Sequence, residues 1–361
     1  VNTPFLVTDS IVFETNGNIQ DVDLVAYGQN ANFIVADTYV EGLPPYTILP
    51  CNSTWDNSLP YVIYGYAVVD SSCDLTIDAG TKVYLHNNSG LWVYKDGRID
   101  VNGTMSDPVV FQGTRLESYY QDIPGQWDRI WINEGSVNNE IDYAIIRNGF
   151  IGIQAESLLD TSSQKQLTIR NSVIHNMSGF GIFTRYYNLT AKNVLVTECG
   201  FYNLAITRGG GYEFRHCTFA NYWNRSQRTT PAVYINDYGV DENQNVLNFP
   251  LYKADFFNNI IYGNNDDELE LDFEFPTVTH NFTNLLLRTA SNTPASNFTN
   301  VIKNQDPRFF DVFEDDYHLK SNSPARDAGD PALVTPDIQT DLDGNPRLID
   351  AGPDLGVYEF L

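Results

Sequence analysis

The chain has 361 residues, of which 42 % are apolar, 13 % aromatic and only 19 % charged. That apolar share can bury a sizeable core in one large domain or two modest ones. The 46 Asp and Glu against 21 Lys and Arg leave a formal charge of −25, which argues against a nucleic-acid partner or an anionic membrane surface, because both need a basic footprint.

Residues 1–60 alternate irregularly and are read as a β-rich N-terminal cap, because an open coil end is a bare sheet edge that needs covering. The chain starts at Val1 rather than Met, which is read as a leader removed or left out before this point, either a signal peptide or a lipoprotein anchor. No apolar run approaches the ~18 residues of a membrane span. Cys51 and Cys73 either pair in an oxidising compartment or stay as two buried thiols. Cys199 and Cys217 lack metal-ligand spacing and are read as buried. Helical periodicity is nearly absent, and short β-rich runs punctuated by Gly and Asn follow one another. Residues 75–85 and 91–103 read as early coils, and 108–111 as a further strand.

Five segments then align without gaps: 141–148, 169–176, 191–198, 214–221 and 256–263. One apolar column holds Ile146, Ile174, Val196, Phe219, Ile261 and Leu287, at offsets of 28, 22, 23, 42 and 26. A small or polar column holds Ala144, Ser172, Val194, Cys217 and Asn259. A turn column holds Tyr143, Asn171, Asn193, His216, Asn258 and Asn284, where Asn tolerates left-handed backbone and can bond its neighbour one coil away. A second strand family follows each copy, at Ile151/Ile153, Ile182, Leu204/Ile206, Val233/Ile235 and Leu269/Leu271. Coils of this length, each with two or three short strands, predict an all-β, single-stranded right-handed parallel β-helix over residues 61–290. The offset of 42 marks a coil carrying a loop.

The run GRIDVNGTMSDPVVFQG (97–113) resembles the entry coils of pectate-lyase-like β-helix proteins, common among exported proteins of Bacteroidetes. The tail motifs SPARDAG (323–329), TDLDGNPR (340–347) and PDLGVYE (353–359) resemble the module called choice-of-anchor Q, which caps surface-associated β-helices. The resemblance implies a C-terminal capping or anchor-type module over residues 291–361, an extracellular or outer-surface location, and relatives that include polysaccharide lyases and glycoside hydrolases. The polygalacturonase set is incomplete: Asp266-Asp267 and Asp315-Asp316 stand without Gly-His-Gly or Arg-Ile-Lys.

Three candidate sites emerge. The alignment predicts an outward ladder of Asp142, Arg170, Lys192, Arg215 and Phe257, beside Glu140, Thr168, Thr190, Glu213 and Asp255. Between Arg147 and Arg228 there are nine Lys or Arg, Lys165 among them, against four Asp or Glu, Asp160 among them. Arg170, Lys192 and Arg215 then present either an anionic-glycan site or a solvated face of ordinary ion pairs. The second candidate is the outer face of the second strand family. It would present Phe183, Tyr234 and Asn236 for sugar contact, with Arg185, Arg208, Asp237, Glu270 and Asp272 as catalytic candidates and the 240–250 loop as a wall. Gln154 and Thr207 would share that face. The third is Asp341, Asp343 and Asn345, read either as a turn or as a Ca2+ loop with incomplete spacing. His216 is expected in a structural hydrogen bond, and His175 facing solvent. Trp127, Trp131 and Trp223 either pack under loops or stack on sugars.

The expected function is an exported, monomeric protein that binds, and in the further reading cleaves, a polysaccharide. The alternative is a non-catalytic surface, scaffold or adhesion protein.

Overall fold

The computed structural model describes residues 5–157, 166–276, 278–349 and 351–361; Lys165 and Asp160 lie outside them. Three strand families stack coil upon coil into a parallel β-helix. A groove sheet runs from Tyr46–Ile48 through Tyr66–Val69, Gly90–Val93, Ile130–Ile132 and Ile151–Glu156 to Val233–Asn236 and Leu269–Asp272. A middle sheet runs from Ser53–Trp55 through Asp74–Asp78 and Arg98–Asn102 to Asn139–Asp142 and beyond. A back sheet runs from Asn32–Val35 through Tyr61–Tyr64, Lys82–Leu85 and Val109–Gly113 to Ala144–Arg147 and beyond.

The repeat columns become physical stacks. Ile146 pairs with Ile174, Ile174 with Val196, Val196 with Phe219, Phe219 with Ile261, and Ile261 with Leu287. All six are fully buried. Successive coils lie one strand spacing apart, so each apolar side chain rests on its equivalent. The six turn-column residues, Tyr143, Asn171, Asn193, His216, Asn258 and Asn284, all have φ between 47° and 59°. Asn193 Nδ2 donates to Asn171 Oδ1 at 2.8 Å, Asn284 Nδ2 to Asn258 Oδ1 at 3.3 Å, and Asn300 Nδ2 to Asn284 Oδ1 at 2.9 Å. His216 joins this ladder through Nε2, 3.0 Å from Asn258 Nδ2, the structural bond expected of it. Cys51 and Cys73 form a disulfide, and Cys199 and Cys217 are free and buried.

Both ends differ from expectation. The parallel stack begins at Asn32, inside the segment read as a cap, because Asn32–Val35, Tyr46–Ile48 and Ser53–Trp55 already pair with the next coil. Only Phe5–Thr15 and Asn18–Gly28 lie outside it, as an antiparallel hairpin turning at Asn16-Gly17. Its described side chains are exposed, so it covers no coil end. The stack continues to Phe298–Lys303, beyond the boundary at 290.

The C-terminal segment lies along the side of the stack. Its Phe309, Tyr317, Leu319, Leu355 and Val357 form a second core against outward residues of the back sheet, Leu195, Ile260 and Leu286. Arg347 is fully buried at the middle–back corner, donating to Glu359 and Asn193 at 2.6 Å and to Val357 O at 3.1 Å. A capping reading missed this because apolar residues on the outside of a coil are invisible to a pattern that counts only the inside.

Candidate functional site

The groove sheet carries one outward column through eight coils: Val68, Trp92, Trp131, Gln154, Phe183, Ala205, Tyr234 and Glu270. Strand alternation sends these side chains out while Ile153, Ile182 and Val233 point in. Four of the eight are aromatic; Trp92 is buried, and Trp131, Phe183 and Tyr234 are partly exposed. Trp92 and Trp131 stack with centroids 4.8 Å apart. Further along, Phe183 stacks on Phe180 at 4.9 Å, Phe180 on Tyr202 at 5.6 Å, and Tyr202 lies 5.5 Å from Tyr234. Trp131 is thus a groove residue, whereas Trp127 and Trp223 are buried.

Polar groups sit between the rings. Glu156 accepts from Trp131 Nε1 at 2.7 Å and Gln154 Nε2 at 3.0 Å, and pairs with Arg185 at 3.3 Å. Asp272 accepts the hydroxyls of Tyr234 and Tyr238, each at 2.7 Å. Asn236 Nδ2 donates to Tyr234 Oη at 3.1 Å, and its Oδ1 accepts Arg208 N at 2.8 Å. Glu270 is held above the ordinary carboxyl value, first by burial and then by the charges of Asp272 and Asp267. Arg208 is held below the usual arginine value by burial and by neighbouring Arg185. It sits at φ 60° before Gly209 and Gly210, which also have positive φ; this corner needs glycine's freedom and turns Arg208 toward Phe249, 5.4 Å away. The hairpin of Tyr238–Val240 and Val246–Asn248 walls the face where the 240–250 loop was expected. A cleft of about 730 Å³ opens at the far end, lined by Asp266, Asp267, Glu270 and Ser291 among others.

The structure sorts the sequence candidates. Phe183, Arg185, Arg208, Tyr234, Asn236, Glu270 and Asp272 share this face. Asp237 does not: it is buried and accepts Glu274 N at 2.9 Å and Phe275 N at 3.0 Å, so it holds a turn. Of the positions expected for the second strand family, Ile153, Ile182, Leu204, Val233 and Leu269 are consecutive partners.

The cationic ladder exists in the register read from sequence: Asp142, Arg170, Lys192, Arg215 and Phe257 are consecutive partners. Its charges are met within the chain. Arg170 pairs with Glu140 at 2.7 Å and Asp142 at 3.2 Å, Lys192 with Asp337 at 2.8 Å, and Arg215 with Glu213 at 2.6 Å. The C-terminal segment thus supplies one of the anions assigned to a ligand, and the solvated-pair reading describes this ladder.

His175 occupies its expected column between Arg147 and Thr197 but does not face open solvent. It is half-buried, 3.9 Å from Asp315, and burial then Arg147 push it down to about 4. The Asp341 carboxylate takes four N–H donors, from Asp343, twice from Asn345, and from Glu359, at 2.7–3.1 Å. Asp343 meets His318 at 2.7 Å. This is the turn reading of the segment. Among the described residues no group of three or more His, Cys, Asp or Glu is arranged to hold a metal. Sequence reasoning missed Glu156, Phe180, Tyr202 and Tyr238 as parts of the groove. The signal was present in their neighbours, but the loop lengths hid the register.

A family model described as a pectate-lyase like β-helix domain matches residues 47–143. That stretch of the chain is thus similar to a pectate-lyase-like β-helix domain, in keeping with the parallel coils that it forms. The match spans Trp92 and Trp131 and stops short of Phe183, Tyr234 and Asp272. No curated protein matches the chain.

Proposed function

We propose that the protein binds an extended polysaccharide along the groove sheet and works outside the cell. The observation that carries this is the outward aromatic column, interrupted at intervals by hydrogen-bonding groups. Sugar rings present apolar faces and hydroxyl edges, and a strip of aromatic faces with polar groups between them complements both. The Cys51–Cys73 disulfide and the choice-of-anchor Q resemblance of the tail support an exported, surface-associated setting. Because the basic ladder is internally paired, the reading needs no anionic glycan.

A cleavage reading rests on Glu270 and Asp272. They are two apart on one strand and lean to the same side, with Cα atoms about 7 Å apart by strand geometry. Glu270, held protonated to higher pH than usual, offers a proton to a glycosidic oxygen while Asp272 faces the sugar ring or a water.

The test is a glycan array followed by product analysis on each hit. Unsaturated products indicate a lyase, and new reducing ends without unsaturation a hydrolase. Binding without turnover leaves a binding or scaffold protein. No hit, or hits that bind a Phe183→Ala/Tyr234→Ala variant equally well, would remove the groove reading.

A further inference from the structure

The C-terminal hairpin of Phe309–Asp311 and Asp316–Leu319 crosses the back sheet. Phe309 and Tyr317 point into the second core. Alternation turns Phe310 outward, and Phe313 sits on the connecting turn; they are 60 % and 82 % exposed. Two large rings held out on a short hairpin add nothing to its packing and mark a contact surface. On one side of Phe313 a cleft of about 500 Å³ is lined by Tyr262, Arg288, Phe310 and Lys320 among others. Arg288 lies 5.5 Å from the Tyr262 ring and donates to Gly263 O at 2.9 Å. The Lys320 ammonium lies 5.8 Å from the Phe310 ring, and among the described residues it forms no ion pair.

On the other side of Phe313 a recess of about 60 Å³ is lined by Asp122, Asn176, Glu198, Arg225 and Asp315 among others. It opens where a second amide ladder breaks. Asn148, Asn176 and Glu198 occupy one corner column, at φ 64°, 55° and 52°. Asn176 Nδ2 donates to Asn148 Oδ1 at 2.8 Å. The next residue, Glu198, has no side-chain N–H to continue the chain. Among the described residues Asn176 Oδ1 therefore accepts no hydrogen bond, although the residue is only 3 % exposed. Glu198 stands in a left-handed conformation that Asn tolerates and Glu does not favour. Tyr317 Oη at 2.7 Å and Tyr222 N at 3.1 Å both donate to its Oε1, leaving Oε2 toward the recess.

We propose that the Phe313 tip is a second saccharide-binding site, specific for a neutral, hydroxyl-rich sugar. The ring stacks on Phe313 and Phe310. Its hydroxyls donate to Asn176 Oδ1 and Glu198 Oε2 in the recess and accept from Lys320 and Arg288 in the cleft. The recess holds Asp122 and Asp315 against Arg225, so a carboxylate or sulfate ester there would be repelled. This site lies on the back sheet and stands or falls apart from the groove reading.

The test is calorimetric titration of the full chain with cellohexaose, mannohexaose and xylohexaose, in a Phe183→Ala/Tyr234→Ala background that disables the groove. At least one hexaose is expected to bind that background at one site per chain. Adding Phe310→Ala and Phe313→Ala is expected to weaken it about tenfold or more, with an unchanged melting temperature because both rings are exposed. An unchanged isotherm on adding those two substitutions, or no binding of any of the three hexaoses by the groove-disabled chain, would overturn the proposal. Failure of the groove reading shows separately, as identical isotherms for the wild-type and groove-disabled chains.

Discussion

The groove sheet and the back sheet are built by the same coils, yet their outer faces meet different fates. On the groove side the outward column carries Trp131, Phe183 and Tyr234, partly exposed and bonded to Glu156 and Asp272. On the back side the outward column carries Val173, Leu195, Ile260 and Leu286, sealed by the C-terminal segment. Aliphatic side chains offer only area to bury, so that face recruits a cover. Tyr and Trp rings keep a polar handle and can stay wet at one edge, so the other face is left open for a ligand.

The largest expected effect that sharpens this contrast is at Arg347. Replacing it with Ala leaves Glu359 buried without its cation and severs the bond to Asn193. A loss of about 3–5 kcal/mol is expected in urea denaturation, with amide exchange rising over residues 331–357. Full protection there in the variant would show that the cover does not depend on this anchor. Leu286→Ala, also on the covered face, is expected to cost roughly 2–5 kcal/mol. Phe183→Ala on the open face should cost clearly less, and equal costs would erase the distinction between the faces.

Glu198 links the cover to pH. Burial first, and Asp315 further, raise it from 4.5 to about 7 in the folded chain, against the lowering pull of the Tyr317 hydroxyl. The folded state therefore holds the proton more tightly than the unfolded one, and this stabilisation is complete below pH 4.5 and is lost as pH rises through about 7. Glu198→Gln should be more stable than wild type at pH 8, with the gap narrowing by pH 5; parallel melting curves across that window would contradict the assignment. Tyr234→Ala is expected to weaken a groove glycan about tenfold, or 1.4 kcal/mol, as read by calorimetry. The smallest effect should come from Arg170→Gln/Lys192→Gln/Arg215→Gln, whose cations already have partners. Glycan affinity should change less than about twofold, and a sharp fall would restore that ladder to the binding site.

Particular residues show how much was readable in advance. Ile146, Ile174 and Val196 were placed in one interior stack from spacing alone, as were Asp142, Arg170 and Lys192 in one exterior ladder, because the middle and back sheets repeat without gaps. The groove sheet follows turns of variable length, so spacing alone left Leu204 and Ile206 both open as the equivalent of Ile182, and strand pairing selects Leu204; the inward and outward sets are the same for either. Asp237 looked like a groove carboxylate because alternation says nothing about a residue just past a strand end, where backbone amides can claim it. Glu198 drew no attention as a site residue, since Tyr317, whose hydroxyl bonds it, lies 119 residues downstream.

The coil is legible in the order of the residues alone: which face in, which stand at left-handed corners, and which ladders repeat. Those properties follow from local periodicity, with side chains alternating along a strand and equivalent positions stacking at every turn of the helix. Which outer face is open and which is covered was settled by long-range packing. That choice depends on where residues 309–357 come to rest, 114 residues beyond Leu195 at the nearest, and on which charges they bring with them. Lys192 illustrates the division: its place in the ladder was local, but its partner, Asp337, was not.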